Sequence, residues 1–179
     1  MLAALLAAAT LVATSTSPQR PIGPGDALPD FTAESWSNTA APLTLADLKG
    51  KVAIVALFGT WAQPGSQKAL QTLVAERAMY GSKVAVLGLE TSSAGQPAVP
   101  DWLKEKKISA VPVGYGPGVD EFATTLGTRG VHAIPTVFVL APDGTIAWMG
   151  GTLHLDRVDA AVEKALAPAP SGGAASSKK

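Results

Sequence analysis

Two stretches of this chain are apolar without interruption, and between them apolar residues recur every three or four positions. The run from Lys51 to Phe58 is β-branched and apolar almost throughout, as a central strand covered on both faces requires. Gly59 to Gly65 carries a turn signal. From Ser66 to Tyr80, Leu70, Leu73, Val74 and Ala78 fall at helical spacing with polar Gln67, Lys68, Gln71 and Glu76 between them. A second buried strand is expected over Lys83 to Glu90. A helix between two such runs implies a right-handed βαβ unit with parallel strands.

Thr91 to Pro100 reads as loop, and Asp101 to Lys107 as a short helix capped by Asp101. Val111 to Tyr115 is a weak strand, and Val119 to Leu126 a helix closed by Gly127. Thr136 to Leu140 and Thr145 to Met149 flank a Pro142-Asp143-Gly144 turn and predict a hairpin. A last amphipathic helix, Leu155 to Leu166, carries Val158, Val162 and Leu166 on one face.

The ends differ in character from this middle. Met1 to Ala13 is apolar except for Thr10 and runs into small residues up to Ser17, which reads as a signal peptide over 1–17. Such a run falls short of the roughly 20 residues that span a bilayer, so cleavage is favoured over anchoring. No Lys or Arg precedes it, and an alanine-rich helix is the alternative. Residues 18–28 are rich in Pro and Gly and read as a linker, 29–167 as one domain, and 168–179 as a disordered tail.

Composition removes several kinds of function. Of 179 residues 47% are apolar and 16% charged, which suits a globular domain. Lys and Arg number 14, Asp and Glu 14, so no basic excess exists to neutralise phosphates, and nucleic acid is not an expected partner. There is no cysteine, which excludes disulfides, thiolate catalysis and cysteine-bound metals.

The order βαβ, helix, hairpin, helix is accompanied by four local matches. Ala27-Leu28-Pro29-Asp30-Phe31 resembles an APDF opening, and Leu43 to Lys51 resembles SLADLKGK ahead of the central strand. Ile134-Pro135-Thr136 resembles a cis-proline loop, and Leu140 to Ile146 an IDRDGRI hairpin. On these residues the chain resembles the TlpA-like thioredoxin family of the redoxin superfamily over nearly its whole domain. The resemblance implies an α/β thioredoxin-like fold, a central mixed sheet flanked by helices, with an N-terminal extension. The apolar N-terminal stretch makes an exported, periplasmic or otherwise extracytoplasmic protein the expectation, met by the membrane only if that segment stays uncleaved.

At the family's W-C-x-x-C this chain has Trp61-Ala62-Gln63-Pro64-Gly65, so Ala62 and Gly65 stand in both cysteine positions. In that chemistry one thiolate attacks a disulfide and the second resolves the mixed intermediate. A methyl group and a hydrogen do neither, so redox catalysis is not expected. What the resemblance leaves is a groove for protein or extended peptide, with Trp61, Gln63 and Pro64 on one wall and Ile134 and Pro135 on the other, acting by strand-like main-chain pairing. The alternative is a thiol-disulfide oxidoreductase or peroxiredoxin-like family member by fold, with a degenerate site. Pro64-Gly65-Ser66 also resembles the PGC of peroxiredoxins, but a serine hydroxyl without a base is a poor nucleophile, and an N-cap is the expected role of Ser66.

Little else carries chemistry. His132 lies close in sequence to the Pro135 loop and His154 precedes the last helix, yet neither forms a Ser/His/Asp or metal-ligand pattern, and no metal or cofactor is expected. Asp101 and Glu105 lie among lysines on a solvated face, and Gly114 to Gly118 is followed by no Gly-Lys-Ser/Thr.

Overall fold

A computed structural model describes residues 20–91 and 98–167, so the expected signal peptide and tail lie outside the described residues. The elements are β1 (Ser35–Ser37), α1 (Leu45–Leu48), β2 (Val52–Phe58), α2 (Gly65–Tyr80), β3 (Val84–Glu90), α3 (Val99–Glu105), β4 (Val113–Tyr115), α4 (Pro117–Thr128), β5 (Thr136–Leu140), β6 (Ile146–Gly151) and α5 (Val158–Leu166). Short 3-10 turns at Gly81–Lys83 and Thr152–Arg157 join them. No helix among the described residues is long and apolar enough to cross a membrane.

The strands form one mixed sheet in the order β1-β4-β3-β2-β5-β6. β2 runs parallel to β3, from Val52 opposite Val84 to Phe58 opposite Glu90, and antiparallel to β5. Its seven residues are all buried because each face has its own cover. Val52, Ile54, Ala56 and Phe58 join a core with Leu70, Leu73, Trp102 and Val162, whereas Ala53, Val55 and Leu57 pack with Phe31, Leu45, Phe122 and Leu126. Gly88 on β3 permits the first of these: a Cβ there would lie 3.1 Å from the Phe58 ring and 3.2 Å from Leu70. This is the expected thioredoxin-like α/β arrangement.

Several boundaries differ from expectation for local reasons. β1 and α1 have three and four residues and no periodic signal; β1 exists by pairing with β4 at the sheet edge. α3 is capped at Ala98, with Pro100 and Asp101 inside its first turn, so Asp101 is not the cap. α4 continues through Gly127 to Thr128, and Gly130, at φ +86°, makes the left-handed turn instead. On α2, Glu76 is buried and Ala78 exposed, the reverse of the simple stripe. Tyr80 at the end of α2 donates to Asp159 at the start of α5, which places this part of α5 beside Glu76; burial and Asp159 together push its carboxyl up.

The described part of the supposed linker is a docked strap. Ile22 and Leu28 are buried, Ile22 N–H donates to Arg129 O at 2.9 Å, and Ala27 bridges Thr145. Asp26 is its hub, accepting from Gly23 N–H at 2.9 Å and pairing with Arg20 and, at 3.8 Å, Arg129. The Gly23 bond, with the two guanidinium groups, holds the Asp26 carboxyl below its usual range. A carboxyl lowered in the folded state contributes stability above its unfolded value that is lost as pH falls through the folded one. Urea midpoints measured at descending pH are therefore expected to decline more steeply for the parent than for Asp26→Asn. Equal slopes would show that Asp26 contributes nothing to this decline.

Candidate functional site

β2 ends at Phe58, and six residues carry the chain to Gly65, the first residue of α2. Backbone bonds fold this loop tightly: Ala62 N–H donates to Gly59 O at 3.0 Å, Gln63 N–H to Trp61 O at 3.1 Å, and Ser66 N–H to Ala62 O at 3.0 Å. The Trp61 indole lies over Gly59, where an added Cβ would sit 2.4 Å from Nε1, so only glycine admits the ring there. The indole is 63% exposed, and its N–H donates to Thr91 O at 3.4 Å. Gln63 and Pro64 are exposed, with the Gln63 amide donating to Thr60 O at 3.1 Å; Ala62 is half-buried.

The second wall reaches the loop at Gly65. A Cβ on Gly65 would lie 3.1 Å from Pro135 Cδ and 2.7 Å from Thr152 Oγ1. The peptide bonds before Pro64 and Pro135 are both cis. Ile134 is half-buried, packing against the core that holds Phe31 and Phe138, while its backbone N–H and C=O have no partner among the described residues. The fold thus brings Gly65, where the loop enters α2, against Pro135.

Ser66 departs from expectation. Pro64 is the N-cap of α2, and Ser66 lies fully buried inside the first turn, its Oγ accepting from Gly59 N–H at 3.3 Å. It ties the loop down and is closed to a substrate. The histidines are exposed; His132 Nδ1 is 4.0 Å from the Cβ position of Gly127, and His154 lies beside Gly150. Among the described residues no group of His, Asp or Glu is placed to hold a metal ion.

Two residues of this region escaped sequence reasoning. Thr152 gives no motif and meets Gly65 only through the fold. Glu90 had a weak signal, a carboxylate ending an otherwise apolar strand. It is fully buried beneath the loop, its Oε1 accepting from Thr60 N–H at 3.2 Å and Thr60 Oγ1 at 3.3 Å. Burial pushes its carboxyl up, with a further push from Asp120, against the Thr60 bonds that pull it down.

The profile of the AhpC/TSA family matches residues 24–149, from the strap through the site loop to β6. The chain belongs to the AhpC/TSA family. No curated protein matches this AhpC/TSA member. Among solved structures it is similar to the thioredoxin-like superfamily protein SPOA0173, at 25% identity over 80% of this chain and 97% of that one, TM-score 0.64. It is also similar to a thiol:disulfide interchange protein of the thioredoxin family from Chlorobium tepidum TLS, at 24% identity over 84% and 100%, TM-score 0.60. The exposed lipoprotein thioredoxin Etrx1 of Streptococcus pneumoniae strain TIGR4 is a more distant likeness, 18% identical over 76% and 99%, TM-score 0.60. This family member carries the thioredoxin-like fold without a single cysteine.

Proposed function

We propose that this AhpC/TSA-family chain is a non-catalytic thioredoxin-like module of the cell envelope, binding an extended protein or peptide segment between the Trp61–Pro64 loop and Ile134–Pro135. The observation that carries this reading is the backbone of Ile134. Its N–H and C=O lack protein partners among the described residues, beside a wall that offers an exposed indole and no thiol. An extended segment pairs with such a donor and acceptor as an added strand does, and apolar side chains then select among segments. Extracytoplasmic placement is supported by the apolar stretch Met1 to Ala13 and by the likeness to an exposed lipoprotein thioredoxin.

A photocrosslinking residue at Gln63 is expected to capture a peptide selected from a displayed library, and the same residue at Met79, at the other end of α2, is not. On adding that peptide, the Ile134 amide resonance should shift. Selected peptides that leave Ile134 unmoved and crosslink equally at both positions would defeat the proposal. Insulin reduction with dithiothreitol is expected to run at the buffer rate; turnover above it would favour the oxidoreductase reading instead.

A further inference from the structure

We propose that the cleft between β6, α5 and the strap is a second binding site, and that it takes a single-chain anionic amphiphile, a long-chain carboxylate whose chain lies along an alanine floor and whose head meets Arg157. The cleft measures about 890 Å³, within the range of small-molecule sites, and it shares no residue with the Trp61–Pro64 loop or with Ile134–Pro135. Two local features of sequence open it. β5 and β6 lose register between Val139 and Leu140: Leu140 stands opposite Ile146 and Val139 opposite Trp148, so Ala147 is the extra residue of a bulge. Residues two apart on a strand ordinarily share a face, yet Ile146 joins the core of Phe31 and Phe138 while Trp148 packs on the opposite core, the one that contains Val158 and Val162 of α5. The bulge thus turns the indole toward α5. That helix meets it with small side chains, since Val158 and Val162 are buried and Ala160, Ala161 and Ala165 line the cleft beside them.

The walls select the ligand by charge. Arg157 and Lys164 line the cleft and are exposed, and neither side chain has a hydrogen bond or ion pair among the described residues. Seven positions apart, they share one face of the helix about 10 Å from each other along its axis, with the alanines between them. Asp143 is the acid on the rim, but Thr145 N–H at 2.9 Å and Thr145 Oγ1 at 2.7 Å both donate to its Oδ1, so its charge is answered within the turn. An apolar floor with two unanswered cations complements an apolar chain with an anionic head. Arg157 is the better seat for that head, because its planar fork takes both oxygens of a carboxylate.

Other occupants fit less well. Pro24 and Pro142 have no N–H, Ile146 bonds the strap through both its N–H and its C=O, and Ala141 N–H bonds Thr145 O, which leaves an extended peptide few main-chain partners in these walls. The rest of the chain supplies no counterpart either, since 1–19, 92–97 and 168–179 contain no Asp or Glu.

Decanoate, decanol and decyltrimethylammonium, each below the concentration at which it forms micelles, separate the head from the chain. Titrated into the unaltered protein, decanoate is expected to saturate, to shift the Trp148 indole N–H resonance and to leave that of Trp61 in place. The ammonium probe should bind about tenfold more weakly or worse, the worth of one charge-assisted contact. Arg157→Gln with Lys164→Gln should bring decanoate down to the level of decanol and leave decanol unchanged, with Arg157→Gln alone giving the larger share. Ala160 is exposed, so Ala160→Trp fills the cleft from outside the core and should abolish binding of decanoate and decanol alike.

Equal binding of decanoate and the ammonium probe, or a decanoate affinity untouched in the double variant, overturns the proposal. So does a response at Trp61 in place of Trp148, which would hand the ligand to the groove. A parent that sediments as a dimer and becomes monomeric on Ala160→Trp would put a second copy in the cleft. Co-sedimentation with anionic phospholipid vesicles and no binding of decanoate would assign the two cations to a membrane surface, and either of these results would defeat the assignment as well.

Discussion

Returning both thiols, by Ala62→Cys with Gly65→Cys, is expected to destabilise the protein by about 1–3 kcal/mol, the range for forcing extra atoms into a packed site. The strain belongs to position 65. Ala62 already has a Cβ and is half-buried, whereas a Cβ on Gly65 meets Thr152 Oγ1 at 2.7 Å and the Pro135 ring at 3.1 Å. Thr152 is exposed and turns about one bond, but Pro135 is held in its ring and buried. Thr152→Ala in the same chain should therefore recover part of the loss, and denaturant midpoints of the four combinations should yield a coupling of about 0.5–3 kcal/mol between positions 65 and 152. Insulin reduction should be faster in the variant lacking the Thr152 hydroxyl than in the one retaining it. Additive stabilities at 65 and 152 would show that the two side chains do not compete for space.

Phe58→Ala is expected to cost about 3–5 kcal/mol, much of the 5–15 kcal/mol by which a domain of this kind is stable. Phe58 is fully buried, stacks on Trp102 of α3 with ring centroids 5.8 Å apart, and lies over Gly88. Removing the ring leaves a cavity shared by β2, β3, α2 and α3, too widely bounded to collapse. Because the site loop begins at the next residue, the same variant should lose the Trp61 emission of the folded protein at lower denaturant concentration than the parent. A loss below about 1 kcal/mol would mean that Trp102 and Leu70 close over the gap.

The parts of the fold that were legible are those whose signal is carried by one segment. The run at Val52–Phe58 needed no partner to declare itself, because a strand buried on both faces is apolar at every position. The hairpin was marked by Pro142, Asp143 and Gly144 in the same way, and the loss of both thiols stood at Ala62 and Gly65 in plain view. Features that depend on a distant partner were illegible. β1 exists because β4 lies beside it, Glu76 is buried because α5 crosses near it, and Thr152 matters only at Gly65. Ser66 was misjudged because helix capping by serine is a local rule, and here the helix begins one residue earlier and the hydroxyl is turned inward to Gly59. Glu90 had no sequence neighbour to explain it, since Thr60 is thirty positions away.

The strap over residues 20–28 has a further bearing on how the molecule behaves in concentrated solution. β6 is the last strand of the sheet, and its outward backbone groups at Ile146 are taken by the strap: Gly25 N–H donates to Ile146 O and Ile146 N–H to Asp26 O, each at 2.8 Å. An uncovered strand edge is a template on which a second chain can pair, and sheets that leave one open tend to join edge to edge. A shortened chain beginning at Pro29 would keep most of the core yet bare the Ile146 end of that rim, and its self-association, read by sedimentation against the parent, is expected to rise with concentration.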